Sequence, residues 1–260
     1  MKRIFTFLAI SICVAFFLNT HVFAAINSYS WYCNRNTEHL QPSIDKNIGF
    51  IENYNGYYVD KKHSNINDGE KVIYLTFDAG YENGNIAKIL DILKEEKVTA
   101  AFFILSNLVI KNPDLVIRMT NEGHFVCNHT SKHKDVTKFL DIDSFKEELE
   151  KLERVYSEAT GEKLKKYFRP PEGRFSEQSM QFASELGYKT IFWSFAYEDW
   201  DNSNQLSAEK AKEKIFANLH NGEIILFHPT SDTNVEILGE VIRELKSAGY
   251  RFADLDELTR

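Results

Sequence analysis

The sequence predicts an α/β fold, a distorted (β/α)7-type barrel, on three observations. Apolar, strand-like runs alternate with amphipathic helical patterns from about Gly69 to the C-terminus. About seven such units fit within roughly 190 residues, which suits a closed parallel sheet. Polar residues recur at or just after the C-terminal ends of the runs. A doubly wound open sheet is the alternative architecture.

The elements follow in order. Val72-Ile73-Tyr74-Leu75-Thr76-Phe77 reads as the first strand, and the next helix carries Ile86, Ile89, Leu90 and Leu93 on one face. Thr99 to Leu105 is a second strand. Asn112 stands where a helix cap belongs, with Pro113 at the first position and Gly123 past the end, before the strand Phe125-Val126-Cys127. Ser144 is the expected cap of a long charged helix stopped by Gly161, and Tyr167-Phe168 makes a short strand. Ser176 opens a helix that Gly187 ends, ahead of the strand Lys189 to Trp193. A helix capped by Ser207, the strand Ile224 to Phe227, the helix Val235 to Lys246 and the strand Tyr250-Arg251-Phe252 complete the series.

With 260 residues, 43% of them apolar, the chain is long enough for one substantial core and too apolar for a disordered protein. Its net charge of -7 offers no basic stripe for nucleic acid or anionic lipid. Lys2 and Arg3 lead into the apolar run Ile4 to Leu18, and Val22-Phe23-Ala24 follows with small residues, so residues 1–24 read as a signal peptide cleaved after Ala24. An uncleaved N-terminal anchor is the other reading. Cleavage leaves an exported, extracytoplasmic protein with no stable membrane span. Residues 25–68, with Trp31, Tyr32, Tyr54, Tyr57 and Tyr58, read as an irregular extension packed on a catalytic domain at 69–260. Its aromatics serve either as anchors or as a sugar-stacking shelf. Cys33 and Cys127 remain in the exported chain, and two separate thiols are favoured over a disulfide.

Asp78, His129, Arg169, Asp199 and His228 each fall at or just beyond the end of a different predicted strand. In a βα barrel those ends share one face, where barrel enzymes place their chemistry. Singly each is ambiguous. Asp78 could cap a turn; His129 and His133, at the i, i+4 spacing of a helical turn, could be idle surface histidines or ligands of a divalent metal. No glutamate follows His129, so the zinc-peptidase pattern is absent. Arg169, held by Pro170 and Pro171 in a segment ending at Arg174, could pair a carboxylate or sit in an ordinary loop. Asp199 could orient an imidazole, and His228 could be a general acid or a buried structural histidine. Their joint placement favours a shared cleft.

These motifs resemble those of the polysaccharide deacetylases, the NodB-like carbohydrate esterase family 4, over roughly Lys71 to Arg260. Thr76-Phe77-Asp78-Ala79-Gly80 is similar to T-F-D-D-G, His129-Thr130-Ser131-Lys132-His133 to H-[ST]-x-x-H, and Arg169-Pro170-Pro171 to the arginine-proline motif; Asp199-Trp200 and Leu226-Phe227-His228 resemble the last two. Three stretches resemble the branch that de-N-acetylates N-acetylmuramic acid toward the muramic δ-lactam of spore cortex: Trp31-Tyr32 with Asn55-Gly56-Tyr57-Tyr58, Asp78 through Gly84, and Trp193 through Trp200. One departure matters: Ala79 stands where the family's third metal ligand is usual, and a methyl group coordinates nothing.

The resemblance implies the NodB homology fold and hydrolysis of an acetamide, with a divalent metal on His129 and His133: zinc first, cobalt or manganese as alternatives. Asp78 is the implied base, oriented by Arg169, and His228 the acid, tuned by Asp199. Trp200, Tyr81, Pro170 and Arg174 are the expected substrate contacts. The implied partner is peptidoglycan glycan, acted on after an amidase has stripped the peptide. N-acetylglucosamine of peptidoglycan or chitin-like polymers is the competing substrate, and an inactive glycan-binding module the competing class.

Overall fold

The computed structural model describes residues 27–64 and 69–260; the expected signal peptide lies outside them. Within the described residues the chain runs β1 (Tyr29–Ser30), β2 (Gly56–Tyr57), β3 (Lys71–Ala79), α1 (Ile86–Glu95), β4 (Ala101–Ile104), α2 (Ser106–Lys111), α3 (Pro113–Asn121), β5 (Phe125–Asn128), α4 (Ile142–Thr160), β6 (Lys165–Phe168), β7 (Arg174–Phe175), α5 (Glu177–Glu185), β8 (Lys189–Ile191), α6 (Ala208–Asn218), β9 (Glu223–Phe227), α7 (Asp232–Ser247), β10 (Tyr250–Phe252) and α8 (Leu255–Leu258). None of the helices described is long and apolar enough to cross a membrane.

The main sheet is parallel, in the order β10-β3-β4-β5-β6-β8-β2, with β9 also paired to β3. It curls. The chain beyond β8 reaches β9 through the Phe195↔Ile225 bridge, with the Ser194 and Phe195 amides donating to the Ile224 carbonyl at 3.0 and 3.2 Å. The strands thus form a distorted barrel, closed on that side by this contact and by the Val59↔Glu223 bridge.

Strand β3 is the spine, and its alternation sorts the core. Ile73, Leu75 and Phe77 join Ile89, Leu90 and Leu93 of α1 in the layer between sheet and helices. Val72 and Tyr74 join Phe103, Cys127, Tyr167 and Ile224 in a second cluster. Each such buried side chain contributes about 1.5–3 kcal/mol relative to exposure. Asp78 shares the parity of Val72 and Tyr74 and therefore emerges where that second row runs out of apolar cover.

Several local expectations need correction. The long charged helix begins earlier, because Asp141, not Ser144, is its cap: the Asp141 carboxylate accepts the Ser144 amide at 2.8 Å. Asn112 precedes α3 without a side-chain capping bond. Helix α7 starts at Asp232, capped by Ser231, a turn before Val235. Helix α2 and the terminal α8 lie where no helix is expected. The extension is also more than packing, since Gly56–Tyr57 adds a parallel strand beside β8. Trp31 stacks on Phe192 with ring centroids 4.3 Å apart, which anchors this segment to the barrel. Cys33 and Cys127 are free thiols: Cys33 donates to the Ser194 carbonyl at 3.4 Å, while Cys127 is fully buried.

Candidate active site

The parallel strands end on one face, and there the polar residues meet. A cleft of about 640 Å³ is lined by Asp78, His129, His133 and His228, with Tyr81, Trp193, Tyr197 and Trp200 among its walls. Arg169 and Asp199 stand behind this surface, fully or almost fully buried.

Arg169 follows β6 and is held at every nitrogen. Its Nη1 donates to Asp78 Oδ1 at 2.9 Å, Nε to the Ile191 carbonyl at 2.9 Å and Nη2 to the Phe192 carbonyl at 3.2 Å. The guanidinium also lies 4.1 Å from the Phe103 ring centroid, a cation–π contact. Burial pushes the Asp78 carboxyl up, but His129, Arg169 and His228 pull it further down, below the usual carboxylate range. His129 is itself pushed down to about 4, mainly by burial, so at neutral pH it is uncharged. Arg169, which also hydrogen-bonds the carboxylate, and His228 are therefore the partners that keep Asp78 ionised.

The two histidines do not share a helical turn, contrary to the spacing argument. Strand β5 ends at Asn128, and residues 129–133 form a loop in which Thr130 (φ 70°) and His133 (φ 56°) take left-handed conformations. The loop still brings the rings together, 5.1 Å apart and edge to face. His129 Nδ1 lies 2.8 Å from the Arg169 carbonyl. A carbonyl only accepts, so Nδ1 carries the proton and Nε2 presents a lone pair. That lone pair sits 3.6 Å from Asp78 Oδ2. Two acceptors so placed repel unless a proton or cation lies between them. Donor atoms on a tetrahedral ion at about 2.1 Å are spaced about 3.4 Å apart, so the His129 nitrogen and the Asp78 oxygen are spaced as two donors to a divalent transition metal would be. Ala79 is fully buried and supplies no donor.

On the other side, Asp199 is a hub. Its Oδ1 accepts His228 Nδ1 at 2.8 Å; its Oδ2 accepts the His228 amide at 2.7 Å and Asn234 Nδ2 at 2.6 Å. Nδ1 is thereby committed, and Nε2 is the nitrogen left to exchange protons. Burial lowers the His228 pKa, but the Asp199 hydrogen bond and the Asp199 and Asp78 charges more than reverse this, so the imidazole holds its proton above the ordinary histidine range.

Comparison with known proteins places the chain in a family. Residues 65–191 match the family model described as polysaccharide deacetylase. The chain is 38% identical over 230 residues to the peptidoglycan-N-acetylmuramic acid deacetylase PdaA of Bacillus subtilis (strain 168), covering 88% of this chain and 85% of the relative. The chain belongs to the polysaccharide deacetylase family. The solved structure of Bacillus subtilis PdaA, a family 4 carbohydrate esterase, matches the deacetylase with a TM-score of 0.82 at 37% identity, over 89% of this chain and 96% of that one. A peptidoglycan-N-acetylglucosamine deacetylase of Bacillus cereus is 33% identical over 190 residues, covering 72% of this chain and 67% of the relative.

Of the expected substrate contacts, Trp200 and Tyr81 line the deacetylase cleft and are largely exposed, 60% and 62%. Pro170 and Arg174 do not line it. Pro170 is buried, and Arg174 is turned aside toward Asp135, with Nε 3.3 Å from Oδ2. The proline-stiffened loop presents Glu172 to the cleft instead, at φ 57°. Gly173 follows at φ 62°, where a Cβ would meet Trp193 and Trp31 at 2.9 Å, so only glycine lets the loop pass. Glu172, Leu105 and Thr230 line the cleft without any sequence signal. Asn234, which Tyr197 and Asp199 grip, is legible only as a polar residue in the first turn of a helix.

Proposed function

We propose that this deacetylase hydrolyses the N-acetyl group of N-acetylmuramic acid in peptidoglycan and releases acetate. The observation that carries the reading is one cleft holding a carboxylate kept ionised by Arg169 and an imidazole kept protonated by Asp199. The muramic acid assignment is supported by the 38% identity to PdaA.

His129 and His133 would hold a divalent metal, zinc by donor preference with cobalt or manganese as substitutes. When bound, such an ion polarises a carbonyl and lowers the pKa of water. The chain's own groups do the rest. Asp78 accepts the proton of the attacking water and releases it to solvent between turnovers, a loss that the Arg169 charge favours, while His228 takes up a proton from solvent to restore the acid. His228 gives its Nε2 proton to the departing amine, and Asp199 holds the imidazolium until then. Trp200 and Tyr81 offer faces for the sugar ring.

The reading implies an exported enzyme at the wall or cortex side of the membrane, with residues 1–24 as its signal peptide, 25–68 bracing the 69–260 catalytic domain, and stripped strands left by an amidase as substrate. Acetate release from peptide-free muramic strands, intact peptidoglycan and N-acetylglucosamine oligomers tests it. Muramic strands should react fastest; preference for glucosamine oligomers would replace the substrate assignment. Asp78→Asn should lower turnover about 10²- to 10⁴-fold with the fold retained, and unchanged turnover would remove Asp78 from its role.

A further inference from the structure

We infer that Glu148 is a positioning residue for the histidine pair: from α4 its carboxylate clamps the loop between His129 and His133 and presets the second imidazole for a divalent cation. The inference rests on the metal reading above and adds a residue outside every motif.

Helix α4 buries Phe145, Glu148, Leu149, Leu152 and Tyr156, so a carboxylate rides on its apolar stripe. Its side chain is 5% exposed. Burying an ion costs several kcal/mol unless it is paired and hydrogen-bonded. Both partners come from the same short loop: Oε1 accepts the Lys132 amide at 2.7 Å, and Oε2 lies 3.0 Å from Lys134 Nζ. These two residues flank His133.

His133 needs such a hold. A left-handed conformation costs a non-glycine residue about 1–2 kcal/mol, so a free loop would relax away from it. His129 has anchors of its own: the Arg169 carbonyl on Nδ1, and Asn128 Oδ1 accepting the next amide at 2.8 Å. Ser131 is pinned by Ser106, with 2.8 Å between hydroxyls. The His133 ring is exposed and makes no hydrogen bond among the described residues, so its placement depends on its neighbours' hold on Glu148. With Ala79 in place of a third donor, misplacing one imidazole removes half of the nitrogen ligands.

The test is cobalt(II) titration of the full chain, followed by visible absorption, with circular dichroism reporting the fold. Glu148→Ala should raise the cobalt Kd about 10- to 100-fold, as loss of outer partners of a metal ligand typically does. Glu148→Gln keeps an acceptor for the Lys132 amide and loses the charge facing Lys134; it should fall between, and Lys134→Met should match it. Turnover at saturating cobalt should return toward that of the unmodified chain, because a clamp sets a ligand and touches no substrate. Should Glu148→Ala not fold, the other two variants decide. Folded variants with unchanged cobalt Kd, or a turnover defect that persists at saturation, would overturn the inference alone. Failure of the unmodified chain to take up cobalt would overturn the metal reading with it.

Discussion

Replacing Asp199 with asparagine isolates the tuning of His228. The carboxylate is 1% exposed and accepts three hydrogen bonds, one on Oδ1 and two on Oδ2. An asparagine that keeps its oxygen toward the His228 amide and Asn234 must turn its NH₂ toward Nδ1. That forces the imidazole proton onto Nε2 and leaves only the Asp78 charge to stabilise the imidazolium. A hydrogen bond to a charged group is worth about 1.5–3 kcal/mol, so protonation of His228 should weaken about 10- to 150-fold. Burial, which lowers the His228 pKa, then acts with much less opposition. Activity that needs the protonated imidazole falls as pH rises through its pKa, so the alkaline limb of the kcat profile should move to lower pH. Stability carries the same sign. A raised folded pKa contributes stability that is complete below the ordinary histidine value and is lost as pH rises through the folded one. The gap in melting temperature between the unmodified chain and Asp199→Asn should therefore shrink from pH 6 to pH 9. Acetate release and thermal melting over that range are the assays. An alkaline limb that stays in place would refute the pairing of Asp199 with the catalytic acid.

Arg169→Met leaves Asp78 unpaired and orphans two carbonyls, a loss of about 3–5 kcal/mol. Melting should fall by about 6–20 °C, and a change under 2 °C would show that the pair is not a buried lock. His129→Ala should abolish cobalt uptake and acetate release together; full activity in the presence of chelator would exclude a metal role. Trp200→Ala, at an exposed position, should change stability by no more than about 0.5 kcal/mol while raising KM about 2- to 10-fold. An unchanged KM would mean that the indole lies outside the sugar's path.

Much of the barrel was legible because its strands are continuous apolar runs between glycine stops, and each helix shows its buried stripe as a 3.6-residue period. Helix starts were read less well: Ser144 and Asp141 are both competent caps three residues apart, and only the folded backbone decides which carboxylate or hydroxyl meets a free amide. The extension's strand was illegible because two residues carry no period; Gly56–Tyr57 is a strand only because β8 lies beside it.

By itself the sequence determined which groups could do chemistry: two carboxylates, two histidines and an arginine at or just beyond the ends of five of the predicted strands, with a third histidine four residues past His129; the family resemblance added that a methyl group stands where a third ligand is usual. Strand direction follows from alternation with helices, so their common face was already implied. Only the tertiary structure decided how those groups are held. It placed Arg169 on Asp78 and Asp199 on His228, joined His129 to His133 through a loop instead of a helical turn, moved Pro170 and Arg174 out of the cleft and brought Glu172 in. The physical reason is that periodicity records which face of an element is buried, whereas hydrogen-bond partners, loop dihedrals and a buried carboxylate's counter-charges depend on segments far apart in sequence meeting at ångström distances.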